Sequence, residues 1–295
     1  MPSCSTEASR SAADVARLRR TIAAIERGEA SPDPSGTFPA SEGGAPARLL
    51  LGVPQVDGVL GGGLLWGGLH EASAAAEHAG VLGAFALGLA ARAVAQRRRP
   101  LLVVQQDLVP WEAGTFYAPG LAAFGLSPGA LIVVRVRRPQ DVLFVMEEGL
   151  KCAGLAAVLG EVCAPLPEAL TATRRLSLAA RGRGVLGLLV RYAAAPEPCA
   201  AASRWVVSPL PSPARDGFGG LGLPRANARL VRNRFGPPGA WPLAFAGGHF
   251  RLAPDEREAR HDPRDTGSPS LGRPALSRPQ PAEPFDGPPR TADVA

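Results

Sequence analysis

Lysine is almost missing from this chain. Of the 32 Lys and Arg residues among 295, Lys151 is the one lysine. That scarcity excludes a phosphate-gripping lysine everywhere except residue 151, which reads as a solvated position near a helix end. Aromatic residues make up only 5%, so aliphatic and alanine side chains must build the core. The four cysteines, Cys4, Cys152, Cys163 and Cys199, form no Cys-x2-Cys pair, and none lies at ligand spacing from a histidine. A disulfide framework and a zinc site are therefore not expected, and a reducing compartment is. His70, Glu71, Glu77 and His78 are near one another, but a turn separates histidines eight residues apart, unlike a pair on one helix face. No Gly-x-Ser-x-Gly elbow occurs. Glycine or arginine interrupts the apolar stretches short of a membrane span, and the N-terminus lacks the apolar run of a signal peptide. The expectation is a cytoplasmic protein with no metal, no cofactor and no membrane partner.

What is abundant is small, apolar and arginine-rich. Apolar residues reach 46%, enough for one large core, and the formal charge is +6 with a pI near 9.9. Arginine carries nearly all the positive charge. This balance favours an anionic partner, although an Ala/Gly/Pro/Arg bias also follows from a GC-rich genome without any functional cause.

Along the chain, Val15, Leu18, Ile22 and Ile25 repeat at helical spacing behind a Ser11/Asp14 capping pair, which predicts an amphipathic N-terminal helix within residues 1–28. Residues 29–46 read as a Pro/Gly/Ser linker. From residue 47 the pattern alternates. Strands are expected at 68–72, 101–105, 131–135, 155–160 and 185–190, with helices at 81–96, 110–124, 140–153 and 167–181. That rhythm predicts an α/β fold with a mainly parallel twisted sheet flanked by helices. After residue 192, strands at 204–208, 228–235 and 241–246 follow one another through Pro/Gly turns, which predicts antiparallel additions at the C-terminal edge. The domain should end at 250, and residues 251–295, rich in proline and charge, read as a disordered tail.

The most telling segment is the turn between the first core strand and the first long helix. A phosphate loop needs Gly-x4-Gly-Lys-Ser/Thr, because bare backbone N–H groups cradle the phosphates, the lysine neutralises them and the hydroxyl holds Mg²⁺. Residues 74–81 occupy that register and read AAAEHAGV. Ala74 and Ala79 replace the glycines, Gly80 stands at the lysine position and Val81 at the hydroxyl position. The layout is that of an ATPase, without the residues that hold a nucleotide.

The order of elements resembles the RecA-type core. Asp57 precedes a glycine-rich turn, Glu71 lies on the strand entering the loop, Asp107 ends the second core strand and Glu161 ends the Walker B-like strand. More narrowly, residues 18–28 (LRRTIAAIERG), 61–72 (GGGLLWGGLHEA), 101–126 and 230–245 (LVRNRFGPPGAWPLAF) resemble the ImuA family. Those proteins are RecA-related accessory factors encoded beside ImuB, a catalytically defective Y-family polymerase homologue, and an error-prone polymerase α subunit. The resemblance implies a RecA-like domain over residues 47–250 and a non-catalytic adaptor in damage-induced mutagenic translesion synthesis. It further implies ImuB, RecA and another copy of the chain as partners, with DNA contacted indirectly. Three alternatives stay open: a SulA-like cell-division inhibitor, which shares a RecA-like core without a phosphate loop, a RecA-type ATPase with an unorthodox loop, and a simple DNA-binding protein driven by the arginines.

For partner binding, Arg229, Arg232, Arg234, Phe235 and Trp241 stand out. Strand alternation would place 232 and 234 on one face and 229 and 231 on the other, setting two arginines beside an exposed Phe235 and Trp241. Trp66 and Trp111 are expected beside the nucleotide cleft, where they either fill the volume a nucleotide would take or serve as ordinary core packing.

Overall fold

The computed structural model describes residues 47–166, 168–192, 197–213 and 222–253. The expected N-terminal helix and the linker lie outside these residues, as does the tail beyond 253. A two-stranded antiparallel ribbon, β1 (Arg48–Leu49) and β2 (Leu64–Leu65), flanks the short helix α1 (Pro54–Val59). Asp57 is the organiser of this lead-in. Its carboxylate accepts the backbone N–H groups of Leu51 at 2.8 Å and Gly52 at 2.9 Å. Gly63 turns the chain here at φ 111, and a Cβ would meet the Leu49 carbonyl oxygen at 2.3 Å, so only glycine fits.

The main sheet has nine strands in the order β11-β10-β9-β8-β3-β7-β6-β4-β5. β3 (Leu69–Ala74), β4 (Leu101–Gln106), β5 (Leu131–Val136), β6 (Ala157–Val162), β7 (Leu186–Tyr192) and β8 (Ser203–Pro209) pair in parallel. β9 (Arg225–Asn233), β10 (Gly239–Ala246) and β11 (His249–Leu252) add antiparallel strands at one edge. The predicted α/β class with a C-terminal antiparallel edge is therefore what the chain forms.

Three boundaries differ from the sequence reading. β8 is parallel to β3, not an antiparallel addition. The chain leaves β7 and passes to the far side of β3, and the described residues 197–202 of this crossover form no helix. The Ala200 N–H donates to Thr173 Oγ1 at 2.9 Å and Ser177 Oγ donates to the Ala200 carbonyl at 3.1 Å, so a flanking helix satisfies the backbone of that described part. Residues 110–124 form two short helices, α3 (Val109–Glu112) and α4 (Ala118–Ala123), because Gly114 takes a positive φ of 85. β11 runs two residues past 250, pairing Arg251 with Ala244 and Leu252 with Leu243.

Helices cover both faces. α2 (Ala79–Arg97) packs on one, burying Leu82, Phe85, Leu89 and Ala90 against Trp205, Leu230 and Phe245. Over Ala76–Arg97 it is long and apolar enough to cross a membrane, yet half of that stretch is buried within the protein. Gly83, Gly88 and Arg92 do not interrupt it as the sequence suggested. Gly88 is where Phe250 crosses, and a Cβ would lie 2.6 Å from that ring. α5 (Pro139–Leu150) and α6 (Ala169–Arg183) cover the other face through Val142, Met146, Leu150 and Leu176. The central strands β4, β6 and β7 are apolar along most of their length and buried throughout, as burial on both faces requires.

Candidate functional site: a cleft at the carboxyl ends of the parallel strands

In open α/β sheets ligands sit outside the carboxyl ends of the strands, beside a helix N-terminus. Here β3 ends at Ala74, a single 3-10 turn covers Ala76–His78, and α2 begins at Ala79. The phosphate-loop register is thus divided between a strand end, one tight turn and the first helical turn. Ala74 and Ala79 are buried, Gly80 is exposed and Val81 half-buried. No side chain caps the helix N-terminus.

Beside this turn lies a cleft of about 210 Å³, smaller than the roughly 300–1,000 Å³ that encloses a drug-sized ligand. Ala79, Gly80 and Ala84 form one wall, Phe116, Leu121 and Phe124 another, and Gln105, Glu161 and Tyr192 the floor. No Lys, Arg or His is among its lining residues. These residues do not fit a magnesium nucleotide. A polyphosphate would meet a carboxylate and apolar walls with no cation to offset its charge.

Glu161 is the buried acid of the floor. Its Oε1 accepts from the Tyr192 hydroxyl at 2.6 Å and its Oε2 from Gln105 Nε2 at 2.6 Å. Burial raises its carboxyl above the ordinary range, while the Tyr192 and Gln105 hydrogen bonds pull it part of the way back. Tyr192 is also pushed upward, by burial first and by Glu161 next. A carboxyl that binds its proton more tightly in the fold favours folding fully below its unfolded pKa, near 4.3. That contribution is lost as pH rises through the folded value. Glu161→Gln, which does not titrate, is therefore expected to gain stability relative to the parent as pH climbs from the ordinary glutamate range through the raised pKa. Urea unfolding of both proteins at several pH values measures it; parallel stability curves would count against a shifted Glu161.

The other residues singled out from sequence are placed elsewhere. Asp107 is an exposed turn residue past β4. Glu71 belongs to a buried ion network on the face of β3 that packs on α6. Its Oε1 lies 3.8 Å from Arg191 Nη1 and 3.4 Å from Arg204 Nε, and Arg191 Nη2 also pairs with Glu197 at 2.8 Å. His70 is buried between Ser203 Oγ, at 2.7 Å from Nδ1, and the Leu65 carbonyl, at 3.1 Å from Nε2. Desolvation lowers its pKa to about 4, so it is neutral at physiological pH. Neither tryptophan expected at the cleft is in it. Trp66 is buried under the Arg97 guanidinium, which sits 4.1 Å from its ring centroid, and Trp111 is 87% exposed on α3. Phe116 and Phe124 take the wall instead. Gln105, Tyr192, Arg191 and Arg204 were missed by sequence reasoning. A polar residue closing an otherwise apolar strand, as in LLVVQQ and LLVRY, was the available signal.

The five residues considered for partner binding do not form one patch. Strand β9 carries a bulge opposite the Arg204/Trp205 step, pairing Arg232 with Arg204 and Leu230 with Trp205. The extra residue, Val231, resets the alternation. Arg229, paired with Val206, and Arg232, paired with Arg204, therefore share a face. This corrects the simple alternation that put them on opposite faces. The Arg232 guanidinium donates to the Cys199 carbonyl. Arg234 lies past the end of β9 and faces the positive field of Arg181. Phe235 is half-buried with Arg48 stacked on it at 4.2 Å, not exposed as expected. Trp241 packs from β10 toward Trp205, ring centroids 6.2 Å apart, on the α2 face and hence across the sheet from Arg229 and Arg232.

No family model matches the sequence. The chain is 37% identical over 236 residues to the protein ImuA of Caulobacter vibrioides strain NA1000 / CB15N, an alignment covering 72% of this chain and 91% of that relative. The ImuA protein of Caulobacter vibrioides strain ATCC 19089 / CIP 103742 / CB 15 aligns with the same identity and coverage. With the parallel sheet and the lead-in through Asp57 to the glycine-rich turn in place, a match of this length shows that the chain belongs to the ImuA family.

Proposed function

We propose that this chain is a non-catalytic adaptor of the ImuA/ImuB mutagenesis system, acting in the cytoplasm during damage-induced translesion synthesis. It would bridge an ImuB-type polymerase homologue, RecA and an error-prone polymerase, with DNA reached through those partners. The observation that carries this reading is the cleft wall. At the place where a RecA-type ATPase grips its nucleotide, the wall residues Ala79 and Gly80 and the neighbouring Val81 offer neither a cation nor a hydroxyl, and the acid across the cleft is held by Tyr192 and Gln105. A RecA-like chain without nucleotide chemistry keeps its surfaces as its means of action.

The crossover after β7 supports the same reading. In RecA proteins a DNA-binding loop follows that strand. Here the described part, residues 197–202, is tied down by Thr173 and Ser177, and Arg191 and Arg204 also hold Glu197. A segment fixed against α6 is poorly suited to wrap a single strand.

Two measurements test the proposal. The melting temperature should stay flat up to millimolar MgATP; a saturable rise of several degrees would mean that a nucleotide binds. The full chain should co-purify with the polymerase homologue encoded beside it, and an Arg229→Glu variant, reversing an exposed charge on the β9 face away from Trp241, should weaken that association. Arg232 is left intact because its guanidinium holds the crossover. Failure of the parent protein to associate would reject the adaptor reading.

A further inference from the structure

The cleft that does not suit a nucleotide has a chemistry of its own. Gln105 lines it and is 2% exposed. Its amide is oriented with Nε2 donating to the Glu161 carboxylate at 2.6 Å; with Glu161 ionised, the reverse would place two acceptors together. Its Oε1 is left buried with no hydrogen-bond donor. Such a group is costly to leave unpaired. Each Glu161 oxygen accepts one side-chain hydrogen bond, Oε1 from Tyr192 and Oε2 from Gln105, and has a lone pair to spare. The floor of the cleft therefore holds two acceptors with capacity to spare, Gln105 Oε1 and the Glu161 carboxylate, beside the second Nε2 hydrogen of Gln105, below walls of Phe116, Leu121 and Phe124 and beside the open backbone at Gly80, where a Cβ would meet nothing within 4 Å.

We propose that this cleft binds a small planar ring bearing N–H donors and no anionic group, an aryl amine or amidine or a phosphate-free aminated base. Its N–H groups would donate to Gln105 Oε1 and the Glu161 carboxylate, with the ring lying among the aromatic walls. A volume of about 210 Å³ admits one ring system and little more. The selectivity is the inverse of a phosphate site. With no cation in the lining, nothing offsets an anion's charge beside Glu161, whereas a cation favours the ionised carboxylate that burial disfavours. This inference stands apart from the adaptor reading, since a protein can dock partners whether or not the cleft is filled.

Benzamidine and benzoate, equal in shape and opposite in charge, are the probes, with adenine and ATP as further arms. Binding to the full-length protein is followed by thermal shift and by NMR of the aromatic and amide side chains. Benzamidine should bind saturably and shift the Tyr192 and Phe124 resonances, with adenine competing and benzoate and ATP at least about tenfold weaker. Gln105→Leu, which keeps the volume and removes the acceptor, should weaken benzamidine about tenfold. Because that change also removes a donor from Glu161, a second variant, Ala84→Leu, fills the cleft from the face of α2 and should abolish binding while the melting temperature holds. Benzoate binding as well as benzamidine, no binding of any probe, or binding untouched by Ala84→Leu would each overturn the proposal.

Discussion

Replacing Arg191 by methionine will cost about 3–5 kcal/mol of folding stability, the range seen when one partner of a buried ion pair is removed. Arg191 is 1% exposed, and its guanidinium is shared between Glu71 at 3.8 Å and Glu197 at 2.8 Å. Arg204 approaches the same Glu71 oxygen at 3.4 Å. Two arginines and two glutamates thus balance within a face of the sheet that is otherwise apolar around Leu69, Leu189 and Ala201. Methionine keeps most of the stem volume but leaves Glu71 facing one arginine and Glu197 without its side-chain partner. At this size of domain the loss corresponds to roughly 2–4 °C of melting temperature per kcal/mol. Urea denaturation and thermal melts give the number directly. Arg191→Met/Glu71→Gln should be less destabilised than the sum of the two single changes, since removing both charges leaves fewer unpaired groups than removing one. A single-variant loss below about 1 kcal/mol, or strict additivity of the pair, would mean that the network is not coupled. The result bears on function because this network anchors the crossover from β7 to β8, the segment that a DNA-gripping relative would need free.

Trp205→Ala is expected to destabilise by a similar amount, about 3–5 kcal/mol. Its indole is 0% exposed and lies at the centre of the α2-side core, 5.6 Å from the Phe85 ring centroid and 6.2 Å from that of Trp241. Its Nε1 donates to Ser203 Oγ at 3.0 Å, and the same hydroxyl meets His70 Nδ1 at 2.7 Å. Alanine opens a cavity that the surrounding strands cannot close, because β8 is held on both sides by β3 and β9, and it removes one partner of a buried polar chain. Trp205→Phe separates the two contributions: it restores most of the volume and leaves the hydrogen bond unmade, so it should recover more than half of the loss. If alanine and phenylalanine cost the same, polar satisfaction outweighs packing at this position.

The parallel core was legible because its strands announce themselves. LLVVQQ, AVLGEV and LGLLVRY are apolar runs bounded by turn residues, and between them lie segments of helical length. The degenerate loop was equally legible, since the chemistry of a phosphate loop depends on residue types at fixed spacing and those types are missing. What escaped were features set by relations between distant residues. Alternation along β9 was read as unbroken, but a bulge is decided by the register with β8, and no local residue of the segment marks it. Trp66 and Trp111 were placed at the cleft from their nearness in sequence to the loop, whereas Arg97 holds one and the short helix α3 turns the other to solvent. The antiparallel reading of β8 followed from the missing helix before it, and nothing local tells whether a chain that crosses over will return in the same direction.

The residues alone determined that a mainly parallel α/β sheet would form and that residues 74–81 lack the lysine and hydroxyl of a phosphate loop, because periodicity and side-chain chemistry are carried by each short segment. Tertiary structure alone decided that Glu161 is held by Tyr192 and Gln105, that four charges from β3, β7, β8 and the crossover meet under the sheet, and that the arginines of β9 lie across it from Trp241. Hydrogen bonds and ion pairs between strands far apart in the chain exist only once the register of the sheet is set, and that register is a property of the whole packed layer.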